Sequence, residues 1–351
     1  MTTTDGHHDA VYDVELEGTG LCFPARAGER LLGAARRAGV WLPFECGWGS
    51  CSSCKVTLVE GSVDALFPEA PAIDRRDERR RRVLACQSAA SSDLVLKAQR
   101  VSHAPDEVRP TRDAIGTLTS MEIVGPDLAR FHMRLTDARG HPVVADFRSG
   151  QYAVLELAPG LRRCYSLAGL PGEDRIELIA KKYAGGAGSN ALFALTPGDR
   201  LAIELPYGDM WLRDRPRPVL LAAGGTGISA ILSLLRHLAA SPATSAGRRV
   251  RVLYGAARVE DLACWDDVVT LVNDLPDATL HGALVAPEAE WSGTRGFVTH
   301  ALEELAESGE HHDLGDSDVY LAGPPVMVLA VQESLRHLGI EVDRVFVDSF
   351  G

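Results

Sequence analysis

Three cysteines within nine residues constrain this chain more than any other feature. Four residues separate Cys46 from Cys51, two separate Cys51 from Cys54, and Cys86 follows after a further 31. Three thiols on one short loop and a fourth arriving from elsewhere form a metal-binding arrangement. Structural zinc also takes four cysteines, but as two C-x2-C pairs, and only one such pair is present. Inert buried cysteines have no reason to crowd together in this way. The total of seven is odd, so paired disulfides do not account for it.

The spacing C-x4-C-x2-C…C fits a [2Fe–2S] cluster, with Cys46, Cys51, Cys54 and Cys86 as ligands. Within the loop, Gly47 and Gly49 permit positive φ, so backbone N–H groups can turn toward a negatively charged centre. Cys22, Cys164 and Cys264 are scattered, and each is expected to be a small buried hydrophobe. Around the cluster, Val11–Leu16 alternates like a strand and Gly20–Pro24 like its hairpin partner. Glu29–Ala38 reads as a short helix with Leu31, Leu32 and Ala35 on one face, and Lys55–Val59 as a strand. Residues 11–98 resemble a plant-type ferredoxin module, with Ser52 where that family usually has Gly. Residues 75–82 read Arg-Arg-Asp-Glu-Arg-Arg-Arg-Arg. Such a run is either a solvated helix face or a docking patch for an acidic electron acceptor.

Residues 101–112 are polar, contain two prolines and read as a linker. Short runs of period two follow at Gly116–Ile123, Phe131–Thr136, Tyr152–Leu157, Arg175–Ala180 and Arg200–Leu205, a pattern that predicts an antiparallel barrel. Inside it lie Arg163-Cys-Tyr165-Ser166 and, further on, Lys181-Lys-Tyr-Ala-Gly185-Gly186-Ala-Gly-Ser189. These stretches resemble the R-x-Y-S and G-G-x-x-S motifs of the ferredoxin–NADP reductase superfamily, which implies bound FAD. An arginine offers planar contact to a diphosphate. By the resemblance, Tyr165 packs on the isoalloxazine and Ser166 sits by flavin N5. Lys181, Gly185, Gly186 and Ser189 line the remainder of the flavin site.

From Pro218 to Ala223 the chain is continuously apolar, as in a fully buried parallel strand. Gly224-Gly225-Thr226-Gly227 follows and opens an amphipathic helix with Ile228, Ile231, Leu232, Leu235 and Leu238 at helical spacing. A strand–glycine turn–helix unit of this kind receives a pyrophosphate. Further strands are expected at Val250–Tyr254, Thr279–Val285, Asp318–Ala322 and Arg344–Val347. Helices are expected at Glu260–Leu271, Phe297–Ala306 and Val326–Leu338. That alternation gives a doubly wound parallel sheet. Tyr254, Gly255 and Arg258 at the second-strand turn, and Gly323 and Pro324 in an A-G-P-P turn, resemble nicotinamide-nucleotide contacts of the same superfamily. Many relatives have Cys where this chain has Ala322. By the resemblance, Phe350 covers the flavin face and Asp348 serves the proton balance at N5. Arg258 could hold a 2′-phosphate, but Glu260 and Asp261 would repel one, so NADH is expected rather than NADPH.

The whole chain is thus expected to comprise a β-grasp ferredoxin module (1–100), a linker (101–112), an antiparallel β-barrel FAD domain (113–215) and an α/β NAD domain (216–351). This order resembles the reductase components of ring-hydroxylating dioxygenases and related multicomponent oxygenases. The resemblance implies an oxidoreductase that takes hydride from NADH onto FAD and releases single electrons through the [2Fe–2S] cluster. The acceptor would be a Rieske-type terminal oxygenase, directly or through a separate ferredoxin. A diiron monooxygenase or a deoxysugar dehydrase is the alternative acceptor, and a redox-sensing regulator the alternative class. Composition agrees: 36 Lys and Arg against 48 Asp and Glu leave a net charge of −12. Nucleic acid and anionic membrane surfaces, which are bound through clustered cations, are therefore not expected partners. No apolar run reaches the ~18 residues of a membrane span, the first ten residues hold no apolar signal core, and no coiled-coil heptads occur. A cytoplasmic monomer is the expectation.

Overall fold

The computed structural model describes residues 10–350 except Glu45, Cys46, Trp48, Ser50, Glu69, Arg100, residues 104–108 and Ala246. The expected ligand Cys46 lies outside the described residues. The chain divides into two compact units, residues 1–113 with 158–164 and residues 114–157 with 165–351.

The first unit opens with the hairpin β1 (Val11–Leu16) and β2 (Leu21–Arg26), paired in register from Val11 with Arg26 to Leu16 with Leu21. Alternation sends Val14, Leu16, Phe23 and Ala25 inward. Helix α1 (Leu31–Arg37) caps that face with Leu31, Leu32, Ala34 and Ala35. There follow β3 (Val40–Trp41), β4 (Lys55–Glu60), β5 (Val63–Ala65), α2 (Arg75–Arg79), β6 (Arg82–Leu84), β7 (Ser88–Ala90), β8 (Leu94–Lys97) and β9 (Ser102–His103). The main sheet has the order β2-β1-β8-β4-β6, and β3-β9 and β5-β7 form small pairs. Two expectations change here. Cys22 is exposed, because the in–out alternation of β2 gives the inner face to Phe23 and Ala25. The segment read as a linker begins with a strand, Ser102–His103, bound to Val40–Trp41, and at its end Arg112 already starts β10.

Strands β10 (Arg112–Gly125), β11 (Leu128–Thr136), β12 (Tyr152–Ala158), β13 (Leu161–Ser166), β14 (Arg175–Lys181) and β15 (Arg200–Tyr207) form a sheet of order β13-β12-β15-β10-β11-β14, which belongs to the second unit except for residues 112–113 and 158–164. The short helix α3 (Ala187–Phe193) lies between the last two in sequence. Phe131, Met133, Leu135, Leu155, Leu178 and Ile203 fill the interior of this sheet.

The remaining strands are β16 (Val219–Gly224), β17 (Val250–Ala256), β18 (Ala278–Leu284), β19 (Thr294–Arg295), β20 (Asp318–Gly323) and β21 (Val345–Ser349). They pair in parallel throughout, in the order β19-β18-β17-β16-β20-β21. Helices α4 (Ile228–Ala240), α5 (Pro242–Ser245), α6 (Trp265–Asn273), α7 (Val298–Leu305), α8 (His311–Asp316) and α9 (Pro325–His337) connect them. The chain moves outward from β16 through β17 and β18, then returns to the other side of β16 with β20. That reversal opens a crevice at the carboxyl end of β16, where ligands bind in open α/β sheets. The helix expected over Glu260–Leu271 starts only at Trp265. Cys264 adopts a left-handed conformation with φ 57°, which breaks the helix and leaves Val259–Asp261 as a separate short turn. The short β19 and α8 carried too little periodicity to be read. No helix among the described residues is long and apolar enough to cross a membrane.

Candidate functional site

The cysteine loop is held from below by its own domain core. Cys54 and Cys86 are 2% and 1% exposed, and their sulfurs lie 3.2 Å apart. That exceeds the ~2.05 Å of a disulfide, so these are two thiols, not joined by a disulfide, converging in an apolar setting. Cys86 sits in a short 3-10 turn, Ala85–Gln87, anchored by the Ala85 N–H donating to the Cys54 carbonyl at 3.1 Å. The buried Gln87 amide reaches back and donates to the Gly47 carbonyl at 3.0 Å. This bond ties the segment of the distant cysteine to the loop of the other three. Ser52 has φ 66°. The chain therefore keeps a glycine-like conformation at this position with a side chain present, at a cost of about 1 kcal/mol. Cys51 is half-buried at the edge of the loop. Among the described residues no three of His, Cys, Asp and Glu converge as a metal site. Cys54 and Cys86 are brought together, and Cys46 lies outside the description. The donor set, thiols from the cysteine loop and from the separate Cys86 turn, suits an iron–sulfur cluster.

In the second unit the structure joins two residues that lie 182 positions apart. The Ser166 hydroxyl donates to Asp348 Oδ2 at 2.6 Å, and both are buried. Burial pushes the Asp348 carboxyl up to about 6, and the Ser166 hydrogen bond offsets only part of that rise. Ser166 is itself fixed from behind. The Ser229 hydroxyl donates to the Ser166 carbonyl at 2.7 Å, the Ser233 hydroxyl to the Gly169 carbonyl at 2.6 Å, and Arg236 to the Ala168 carbonyl at 2.9 Å. Ser229, Ser233 and Arg236 stand at i, i+4 and i+7 on α4, so one polar stripe fastens the nucleotide-side helix to the strand end that bears Ser166. The apolar spacing of α4 in the sequence marks only its other, apolar face. The stripe was the available signal.

Asp348 in its raised state makes a signed prediction. An acid whose folded value lies above its unfolded one stabilises the fold when protonated, and the benefit is lost as pH climbs from near 3.8 to about 6. The shift corresponds to at most ~3 kcal/mol. Asp348→Asn is therefore expected to melt several degrees above the wild type at about pH 8, by about half that margin at about pH 5, and near it only at about pH 3.5. Thermal melts of both proteins across that range check this. A difference that is the same at both ends would refute it.

The other expected residues are distributed as follows. Phe350 is half-buried, and its N–H donates to the Gly323 carbonyl at 3.2 Å. Tyr165, the penultimate residue of β13, is half-buried, and so is Arg163 on the same strand. The Lys181 ammonium lies 2.7 Å from Asp261 and forms an ion pair with it. Gly185 opens to free space, while the Ser189 hydroxyl closes the turn by accepting from the Tyr183 N–H at 3.0 Å. Gly224 ends β16, and Gly225–Gly227 form a 3-10 turn into α4, with Gly225 and Thr226 at the open mouth. Tyr254 departs from the picture of a ligand contact. Its ring is fully buried, stacked on Trp265 at 6.1 Å, and its hydroxyl donates to the Ala263 carbonyl, so only its backbone reaches the strand end. Gly255 follows it, and Arg258 is exposed with Glu260 3.6 Å away. Gly323 is buried and Pro324 exposed at the start of α9.

A thiol loop, a buried serine–carboxyl pair and a glycine turn at a parallel-sheet crevice define a flavin and iron–sulfur oxidoreductase. Residues 14–91 match the 2Fe-2S iron-sulfur cluster binding domain family, 116–211 the oxidoreductase FAD-binding domain family and 221–333 the oxidoreductase NAD-binding domain family. The chain is 36% identical over 338 residues to the ferredoxin–NAD(+) reductase component of the alkene monooxygenase system of Xanthobacter autotrophicus, covering 94% of this chain and 98% of that one. It is 34% identical over 351 residues to the reductase component of phenol 2-monooxygenase from a Pseudomonas species, covering 97% and 94%. Among solved structures, the ferredoxin reductase in carbazole 1,9a-dioxygenase superposes with a TM-score of 0.83 at 28% identity, over 99% of this chain and all of that one. The chain belongs to the reductase components of multicomponent oxygenases.

Proposed function

We propose that this protein draws electron pairs from NADH and delivers them one at a time to the oxygenase protein of a multicomponent system. When bound, FAD, NADH and the [2Fe–2S] cluster supply the hydride and one-electron chemistry, and the chain supplies position, charge and exclusion of water. Cys46, Cys51, Cys54 and Cys86 hold the cluster. Arg163, Tyr165, Ser166, Lys181, Gly185, Gly186 and Ser189 hold the flavin, with Lys181 also paired to Asp261. Gly224, Gly225, Thr226, Gly227, Gly255, Arg258, Gly323, Pro324 and the Tyr254 backbone receive the dinucleotide, and Phe350 covers the flavin. Residues 1–100, 113–215 and 216–351 serve as cluster, flavin and nucleotide modules, with 101–112 between the first two. The observation that carries this reading is the buried Ser166–Asp348 contact of 2.6 Å. A hydroxyl bonded to a carboxyl that titrates near neutrality can hold or release the proton that accompanies hydride movement at the ring.

Glu260 beside Arg258 supports NADH over NADPH, since a 2′-phosphate would meet a carboxylate there. The two monooxygenase reductases stand at higher identity than the dioxygenase reductase structure, which supports a diiron-type monooxygenase as acceptor. A Rieske-type oxygenase is the second reading. The built-in cluster makes a separate ferredoxin unnecessary. Anaerobic titration with NADH tests the proposal. Flavin absorbance should bleach, and a rhombic paramagnetic signal from one reduced cluster per chain should appear. Protein that binds no iron, or that stays oxidised with either reduced dinucleotide, would sink it.

A further inference from the structure

The sequence leaves the arginine run between a solvated face and a docking patch, and the structure separates its members. Residues 75–82 hold six arginines against two acids, a local +4, so the rest of the chain carries −16 of the total −12. One acid, Asp77, is buried and pairs with Lys55 at 2.7 Å and with Arg82 at 3.3 Å. Arg81 donates to the carbonyls of Val59 and Gly61, each at 3.0 Å. Asp74 caps α2 by accepting from the N–H groups of Arg76 and Asp77 at 2.8 Å. Four arginines remain. Arg75, Arg76, Arg79 and Arg80 are exposed and have no side-chain partner among the described residues.

This basic turn is fastened to the cluster segments at several points. Lys55, which holds Asp77, directly follows Cys54. The Ala72 N–H donates to the Gly49 carbonyl of the cysteine loop at 3.0 Å. The Leu66 N–H donates at 2.8 Å to the carbonyl of Gln87, the neighbour of Cys86. Leu66 and the adjacent Phe67 are each 37% exposed, large apolar side chains presented to solvent beside a ligand segment. Single exposed apolar residues need no explanation. An apolar pair next to a redox centre, with four unpaired cations on the following helix, has the composition of a transient interface, apolar at its centre and charged at its rim.

We propose that Leu66, Phe67 and the four arginines Arg75, Arg76, Arg79 and Arg80, on α2 and its C-terminal cap, form the surface through which electrons leave the cluster, and that it takes a protein acceptor with an acidic face. The inference rests on the electron-transfer function argued above and names its partner by charge. An acidic protein would be steered to this positive turn of a negative chain, and its orientation would bring the acceptor to the side of the cluster segments that the turn is fastened to.

The soluble domain of cytochrome b5, which is acidic, and cytochrome c, which is basic, serve as probes. At low ionic strength, replacing Arg75, Arg76, Arg79 and Arg80 together by Gln is expected to slow NADH-driven reduction of cytochrome b5 by about tenfold or more. The salt dependence of that reaction should flatten as well. Cytochrome c reduction should hold or rise, and NADH-driven bleaching of the chain's own cluster should be unchanged. Phe67→Ser should slow cytochrome b5 reduction without flattening its salt dependence. An unchanged rate and salt slope with cytochrome b5 would overturn the proposal. So would slower bleaching of the variant's own cluster, which would place the arginines on an internal contact. A wild-type cluster that NADH never reduces would instead count against the electron-transfer function, and it is seen before any cytochrome is added.

Discussion

Cys86→Ser is expected to cut NADH-driven reduction of cytochrome b5 or cytochrome c by about 100-fold or more, while reduction of ferricyanide, a dye that can take electrons at the flavin, stays within about twofold. The substitution changes one buried atom. Cys86 is 1% exposed and its sulfur lies 3.2 Å from that of Cys54. A serine hydroxyl fits the space but is neither soft nor acidic enough to replace a thiolate on iron. The cluster should then fail to assemble, and its absorbance and iron content should fall together. Ligand binding is also folding energy in a small metal-bearing domain, so the first unit should become easier to unfold. The Ser166–Asp348 pair belongs to the second unit and should be untouched, which is why the dye reaction survives. Cys22→Ser is the control, because that thiol is exposed on the outer face of β2 and should leave every rate unchanged. Iron retained at one cluster per chain in Cys86→Ser, with full cytochrome reduction, would remove Cys86 from the ligand set.

What the sequence discloses and what it hides divide along the range of each interaction. The cysteine loop, the glycine turn at Gly224–Gly227 and most strands are local patterns, written within a few residues, and they reappear with ends shifted by only a few positions. The face a residue turns within its element was harder to read. Tyr254 has the right place at a strand end, yet its ring turns into the core beneath Trp265. Cys22 fails as a core residue because alternation is decided by the whole strand and not by the polarity of one side chain. The helix over 260–271 looked continuous because its apolar spacing was good. Spacing carries no sign of the left-handed residue at Cys264, whose thiol accepts from Arg130 at 3.0 Å. Contacts between distant segments leave no periodic trace. The serine–carboxyl pair could be suspected only from resemblance, and the stripe Ser229, Ser233 and Arg236 gains its meaning once β13 is known to lie opposite it.

Gly227→Ala should be among the most damaging single-methyl additions in the nucleotide half, and the reason is visible only in three dimensions. The backbone at Gly227 is ordinary, with φ −58°, so an alanine is conformationally welcome. On propensity alone, Ala at a helix start would even stabilise by up to ~1 kcal/mol. The added Cβ, however, would stand 2.0 Å from the Ala322 carbonyl oxygen, 2.4 Å from its carbon and 2.9 Å from the Gly323 nitrogen. All three are backbone atoms of β20, and no rotamer moves them aside. Ala322 is the last residue paired with β16, so relief requires the turn to lift or the central strands to part. A destabilisation of about 3 kcal/mol or more follows. A lifted turn also displaces Gly225 and Thr226 at the crevice mouth and the start of α4, whose Ser229 holds Ser166 in place. The KM for NADH should therefore rise by about tenfold or more and ferricyanide reduction should fall with it. Gly225→Ala supplies the contrast: its φ is 53° but nothing lies within 4 Å of its Cβ, so strain of about 1 kcal/mol is the whole expectation. Urea unfolding and NADH kinetics on the two variants separate the effects. If Gly227→Ala proved as stable as the wild type, or no worse than Gly225→Ala, the close approach of this turn to β20 would not be what shapes the dinucleotide site.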